Sequence, residues 1–375
     1  MKVLLISPKD PKVPTNFKFL MGGENTYTTT LLAHPPDGVE YTHHTDAIRT
    51  GKIKLTGFGK IDSLLMKMEV LPPDAGVISI KLKDNFDLIH CHAYNLKSEG
   101  SHPPVVLGDS SCNLLYLRDY IGWSEARIGW SYRFRKASHQ IMGIYDQVLN
   151  LADARILIVF SEFAKRVHME LGMSEEKICV VYPGLVDRPA VKKDGDLRVN
   201  ILFAGVWFER KGGMVILEAF RKLAPKYKNL KLTLLGPLPG GVTISKNENI
   251  EQKDFVLYDR LLDYYRRADI FVLVPFKAEG YGLVVEEAMS FGLPVVVSNI
   301  YALPEMVKDG ETGLVAKPGD TNDLVEKLEV LIKNPTLRKN TGEAARVRFM
   351  EKFWIKKTNE KLLKVYREAC GRRLL

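Results

Sequence analysis

Cysteine is scarce in this chain of 375 residues. There are four, Cys91, Cys112, Cys179 and Cys370, with no CxxC and no Cys/His pairing among them. That spacing argues against a disulfide framework or a zinc site, and the expected compartment is a reducing cytosol. Long apolar runs are missing too. Stretches such as Ile156–Phe160 and Phe271–Pro275 fall far short of the ~18 residues that crossing a bilayer requires. The opening MKVLLISPKD is too short an apolar stretch for a signal peptide, whose core needs roughly 7–15 residues, and it reads as a first β-strand. No Asp-x-Asp pair follows an apolar strand, so that way of presenting a divalent cation to a phosphate is not expected.

What is there is ordinary for a folded protein. Apolar residues make up 46% and charged residues 26%, which excludes a disordered chain. At roughly 100–200 residues per domain the length gives about two domains. The net charge of +9 is uneven: residues 1–190 hold 22 Lys+Arg against 21 Asp+Glu, and the remainder hold 32 against 24. A basic half suits a polyanionic partner, whether nucleic acid, an anionic membrane or a phosphorylated small molecule. A solvated basic surface is the competing reading.

Short apolar runs alternate with helical patterns. Lys2–Ser7, Leu88–Cys91, Val105–Leu107, Ile156–Phe160 and Ile178–Val181 read as strands, and Glu24–Ala33, Ile121–Leu151 and Glu162–Leu171 as helices. The pattern breaks at Pro183–Asp196, which reads as an exposed linker. It then restarts with strands Val199–Ala204, Leu230–Leu235, Ile270–Val274 and Pro294–Ser298 and helices Met214–Leu223, Leu261–Arg267 and Val284–Ser290. Helical stretches Asp323–Lys333 and Thr336–Tyr366 follow, the second broken near Lys352–Trp354. Such alternation predicts βαβ units and parallel sheets. The expected domains are 1–190 and 191–352, with a C-terminal helix in 353–375 packing back toward the first. Ligands of such sheets bind at the carboxyl ends of the strands, and with two doubly wound domains in the cleft between them.

The richest stretch is AEGYGLVVEEAMSFGLP, Ala278–Pro294. Gly280 and Gly282 stand where a helix begins, and small residues there let backbone N–H groups approach an anion while the helix dipole favours it. Glu279 precedes the helix and Glu287 lies two turns inside it. A carboxylate facing a vicinal diol makes two charge-assisted hydrogen bonds, so the pattern reads as phosphate on the glycines and ribose on Glu287. An ordinary helix with a solvated Glu286-Glu287 pair is the alternative. Phe208-Glu209-Arg210-Lys211-Gly212-Gly213 follows the strand Val199–Ala204 and opens the next helix, where Arg210 or Lys211 can present a positive charge to an anion.

Taken together, E-G-Y-G-L-V-V-E-E-A-M-S-F-G-L-P, Leu303-Pro304-Glu305-Met306-Val307, Asp309–Val315, Ser161–Lys165 and Val180–Asp187 resemble, in order and spacing, the retaining glycosyltransferases of family 4. The similarity spans nearly the whole chain and is strongest from Leu157 to Asp320. It implies the GT-B fold: two facing Rossmann-like, doubly wound parallel-sheet domains with a central cleft. It implies transfer of a hexose, with retention, from a UDP- or GDP-linked sugar to a glycan or lipid-linked acceptor, without a metal or other cofactor. The donor nucleotide sugar is the co-substrate. Glu287 would hold the ribose hydroxyls, and Glu279 would lie near the transferred sugar. The backbone of Gly280, Tyr281, Gly282 and Leu283 would hold the diphosphate and sugar hydroxyls, and backbone around Asp254–Tyr258 the base.

Lys211 matches the family's lysine, whereas Val206 stands where the family carries an arginine, leaving Arg210 as the candidate replacement. Met21-Gly22-Gly23-Glu24-Asn25 resembles the N-terminal glycine loop, with Gly23 against the donor. The family's histidine after the strand Val105–Leu107 is absent, and Gly108-Asp109-Ser110-Ser111 stands there, with Asp109 or Ser110 as the group facing a sugar hydroxyl. Nearby, His90 reads as core and His92 as a cleft candidate. Arg118–Lys136 interleaves Tyr120, Trp123, Trp130, Tyr132 and Phe134 with basic residues. A packed helix, an acceptor groove and peripheral contact with an anionic membrane all remain open for it; no nucleic-acid partner is expected. The resemblance also leaves open an inactive sugar-nucleotide-binding protein, an epimerase or a phosphorylase.

Overall fold

The computed structural model describes residues 1–7, 23–44, 51–53, 77–82, 84–92, 94–98, 100–109, 116–146, 154–188, 198–277 and 279–371. Met21 and Gly22, Ser110 and Ser111, Ala278, and Pro189–Asp196 of the expected linker lie outside them, as does the last part of the helix expected to run to Leu151. The chain divides into two compact units, one of Met1–Val13, Glu24–Tyr182 and Lys356–Leu375, the other containing Pro183–Ile355.

The first unit contains β1 (Lys2–Ile6), α1 (Gly23–Ala33), β2 (Glu40–His43), β3 (Gly51–Ile53), β4 (Val77–Ile80), β5 (Leu88–His92), β6 (Asn95–Ser98), β7 (Val105–Asp109), α2 (Glu125–Met142), β8 (Ala154–Val159), α3 (Glu162–Glu170) and β9 (Ile178–Val180). Among the described residues a six-stranded parallel sheet runs β2-β1-β5-β7-β8-β9, and a short second sheet runs β3-β4-β6. Leu4, Ile6, Ile89, Leu107, Leu157 and Val159 form its core. Strands buried on both faces read as continuous apolar runs, which is why β1, β5, β7 and β8 were visible in the sequence. Ser161 caps α3 by accepting from Ala164 N at 3.0 Å. Helix α2 ends earlier than its composition suggests, because Gly143 adopts the left-handed conformation (φ +64°) and closes it.

The second unit follows as β10 (Val199–Ala204), α4 (Gly213–Leu223), β11 (Leu230–Leu235), β12 (Ile250–Lys253), α5 (Tyr258–Arg267), β13 (Ile270–Leu273), α6 (Leu283–Ser290), β14 (Val295–Ser298), α7 (Leu303–Met306), β15 (Gly313–Ala316), α8 (Thr321–Lys333) and α9 (Pro335–Lys352). Its six described strands are all parallel, ordered β12-β11-β10-β13-β14-β15. The order reverses between β10 and β13, and in open α/β sheets that reversal opens a crevice at the carboxyl ends of the strands.

The segment Pro183–Arg188 is not an exposed linker. Leu185 is buried and its backbone bonds Phe353 O and Ile355 N at 3.0 and 2.9 Å. Asp187 accepts from Arg346 at 2.7 Å. These bonds tie the segment to the end of α9, so the unit begins at Pro183 rather than at residue 191. The last helix, α10 (Ile355–Ala369), belongs almost wholly to the first unit. There Tyr366 OH meets His90 Nδ1 at 2.7 Å and Tyr41 OH at 2.8 Å, and Thr358 donates to Tyr182 O.

Candidate active site

The two loops that flank the strand reversal in the second unit hold most of the site residues expected there. The loop after β10 folds into a tight turn: Lys211 N donates to Trp207 O, Gly212 N to Glu209 O and Gly213 N to Phe208 O. Phe208 is buried and packs edge-on against Phe203 of β10, anchoring the turn. The Lys211 stem runs over Gly205, so closely that a Cβ there would lie 2.5 Å from Lys211 Cδ. Its ammonium reaches Glu279 Oε2 at 2.9 Å, in the loop after β13. Both side chains are largely buried. Burial alone raises the Glu279 carboxyl, but the charges of Lys211 and Arg210 outweigh it and hold it below the ordinary carboxylate range. Glu279 is therefore an anion within reach of two cations.

Gly280, Tyr281, Gly282 and Leu283 lead from Glu279 into α6. Gly282 is its N-cap in the left-handed conformation (φ +95°), a backbone state open to glycine at little cost. Glu286 and Glu287 are both buried, which rules out the solvated pair. Glu287 Oε1 accepts from Tyr258 OH at 3.0 Å, and Oε2 from Tyr265 OH at 2.8 Å. Burial pushes its carboxyl above the usual range, opposed by the two tyrosines and by Arg188. Arg188 lies over the Tyr258 ring at 5.3 Å.

Thus Lys211, Glu279, Arg210 and the Gly280–Leu283 backbone gather around one strand reversal, with Glu287 behind them on α6. The tyrosine pair was missed in the sequence. Tyr258 and Tyr265 are seven positions apart on α5, a spacing that places both on one face of a helix, and that was the available signal. Glu286 was noticed only as a surface charge.

Of the remaining expected residues, Asp109 and His92 lie in the first unit. Gly23 opens α1. Asp109 ends β7 and is buried, its carboxylate 3.2 Å from His168 Nε2 on α3. His92 is a core residue, not a cleft residue: it is fully buried and stacked on Phe160, ring centroids 5.1 Å apart. A Cβ on Gly108 would lie 2.6 Å from His92 Nδ1, so the side chains of β5 leave no room for a histidine at 108. In the segment 118–136, Trp123 and Arg135 are buried. Arg135 donates to Asp146 at 3.2 Å, and His139 Nδ1 lies 2.8 Å from the same carboxylate.

The model of the family described as glycosyl transferases group 1 matches residues 187–348, which include every site residue of the second unit. N-acetyl-alpha-D-glucosaminyl L-malate synthase of Bacillus anthracis is 31% identical over 312 residues, covering 76% of this chain and 74% of that protein. The chain belongs to the glycosyl transferases group 1 family. An uncharacterized glycosyltransferase of Methanocaldococcus jannaschii is 30% identical over 195 residues, 52% of this chain and 54% of its own length. For several such relatives the chain spans about half of their length. Sucrose-phosphate synthase from Thermosynechococcus elongatus superposes with a TM-score of 0.71 over 99% of this chain and 100% of that one, at 16% identity. That likeness concerns fold, and it identifies the two doubly wound units as those of a GT-B protein. The glycosyltransferase family expected from the Glu279–Pro294 signature agrees with this match at the level of group 1, and the signature falls on the loop and helix that carry Glu279 and Glu287.

Proposed function

We propose that the protein is a retaining, family 4 glycosyltransferase that moves a hexose from a UDP- or GDP-linked sugar to a glycan or lipid-linked acceptor. The observation that carries this is the Lys211–Glu279 ion pair across the two loops at the strand reversal. Lysine has three N–H donors, and Glu279 takes one, leaving two for phosphate oxygens. Breaking the glycosidic C–O bond adds negative charge to the departing diphosphate. A fixed ammonium therefore stabilises the transition state more than the ground state. With Arg210 beside it and the N–H groups of Gly280–Leu283 at the start of α6, the loops supply the cationic work that a divalent ion does elsewhere, so transfer is metal-independent. Glu279 would face the transferred sugar. The Glu287 carboxylate, anchored by two tyrosines, keeps further lone pairs for the ribose hydroxyls. The departing phosphate would take the acceptor's proton on the same face of the sugar, giving retention. The proposed place of action is the cytoplasm, at the inner membrane face if the acceptor is lipid-linked, with contact through the exposed side of α2.

Calorimetry of UDP, GDP and their 2′-deoxy analogues against wild type and Glu287→Gln tests the assignment. Wild type should prefer the ribose form. Losing charge-assisted hydrogen bonds costs about 1.5–3 kcal/mol, so the variant should bind roughly 10–150-fold more weakly and discriminate little between ribose and deoxyribose. Equal affinity of variant and wild type would remove Glu287 from the donor site.

A further inference from the structure

Glu286 is a buried acid that the reading above leaves without a task. It is fully buried on the first turn of α6. Its Oε1 accepts a hydrogen bond from Tyr281 OH, and its Oε2 has no hydrogen-bond partner among the described residues. Burial lifts its carboxyl well above the ordinary range; the Tyr281 hydroxyl opposes this only in part, and the neighbouring Glu287 adds to it. Burial and the neighbouring Glu287 thus both disfavour charge on Glu286, since adjacent like charges in a dry turn repel at a cost.

Tyr281 is the one residue with a side chain between Gly280 and Gly282. Glycines let the backbone approach an anion, but they carry nothing that fixes the backbone in place. Between the two glycines a side chain can hold the loop only through Tyr281, as the Lys211–Glu279 pair holds it at its start. Its ring is buried and its hydroxyl turns forward onto the helix that the loop begins. We infer that Glu286 is a positioning residue: through the Tyr281 hydroxyl it fixes the Gly280–Leu283 backbone in the conformation that receives the donor's diphosphate. The inference rests on the reading of that loop as the diphosphate cradle. It separates two jobs on one helix: Glu287 faces the ribose, and Glu286 holds the loop.

The test is calorimetric titration of wild type, Tyr281→Phe, Glu286→Leu and Glu286→Gln with UDP and UMP, and with GDP and GMP in parallel. For Tyr281→Phe and Glu286→Leu, affinity for the preferred diphosphate should fall about tenfold or more, while monophosphate affinity stays within about twofold. Glu286→Gln keeps an acceptor for the tyrosine hydroxyl and should restore the diphosphate preference. Tyr281→Phe removes a single oxygen, so it keeps the test open if Glu286→Leu fails to fold. If the variants keep the wild-type preference, or if both affinities fall together, the positioning role is overturned and the reading of the loop stands. A wild type that binds diphosphate no better than monophosphate overturns the reading of the loop and the inference with it.

Discussion

Lys211 Nζ and Glu279 Oε2 lie 2.9 Å apart, though 68 residues separate them in the chain. The contact joins the loop after β10 to the loop after β13, and these neighbouring strands flank the reversal of the sheet. The ion pair therefore does two things. It fixes the spacing of two loops, and it presents an ammonium where a doubly wound sheet receives its ligand.

Removing one partner should cost more than removing both. Lys211→Met leaves a buried carboxylate facing only Arg210, and breaking a buried pair this way costs about 3–5 kcal/mol at full burial; slight exposure of both groups places the expected loss at the low end. The double change Lys211→Met/Glu279→Gln removes the uncompensated charge and should recover most of that stability while leaving transfer abolished. Urea unfolding of the three proteins checks this. A double variant no more stable than the single one would mean that the pair is not electrostatically coupled.

Gly205→Ala is expected to separate positioning from stability. The new Cβ would collide with Lys211 Cδ, part of a flexible side chain that can swing aside, and would lie 3.1 Å from Cζ of buried Phe203, which must give slightly. The melting temperature should change little, within the few degrees that about 1 kcal/mol produces. Turnover should fall toward the Lys211→Met level, because an ammonium displaced by about 1 Å can lose on the order of 100-fold in rate. Full turnover in Gly205→Ala would show that the lysine need not follow this path.

The sequence made parts of this arrangement legible and hid others, for physical reasons. Strands β10, β11 and β13 are central, mostly buried and mostly apolar, and they were visible. Edge strand β12, with sequence IEQK, has one apolar residue and was missed. The family signature located Glu279 and Glu287, but not what supports them, because Tyr258 and Tyr265 lie on another helix. Pro183 and Gly184 look like linker punctuation until the backbone bonds of Leu185 to Phe353 and Ile355 appear, and backbone bonds leave no mark on composition. Arg135 looked like a surface charge because its neutralising Asp146 lies beyond the helix end.

Acid should weaken the first unit through two histidines. Burial depresses His90 to about 4 and His92 to about 3, His90 also pushing His92 down. Unfolded histidine takes up a proton near 6.5, so the unfolded state binds more protons below that pH. Their contribution is complete above pH 6.5, declines as pH falls through the window down to these values, and is gone below them. At pH 5 each should have lost about 2 kcal/mol. His92→Met fills similar space without a titrating ring. Its unfolding midpoint, compared at pH 7 and pH 5, should drop by correspondingly less than that of wild type. Equal drops would place the acid sensitivity elsewhere.

The exposed side of α2 gives the membrane proposal a revised form. Trp130, Phe134 and Ile141 are spaced to share one side of the helix; Trp130 is 52% exposed and stacked on Phe134, and Ile141 is 85% exposed. Arg133 and Lys136 of the same helix are exposed, whereas Arg135 and Trp123 are buried and would report on folding rather than on a surface. Among the described residues no helix is long and apolar enough to cross a membrane, so contact of this kind would be peripheral. Basic residues near an anionic surface contribute about 1 kcal/mol each, and the attraction fades within ~8 Å at physiological salt. Arg133→Ala/Lys136→Ala should weaken co-sedimentation with phosphatidylserine vesicles about thirtyfold, and Trp130→Ala should weaken it further, while donor hydrolysis is unchanged in both. Binding should also fall steeply between low and high salt. Wild type that stays in the supernatant at low salt would leave α2 without a membrane role and point to a soluble acceptor.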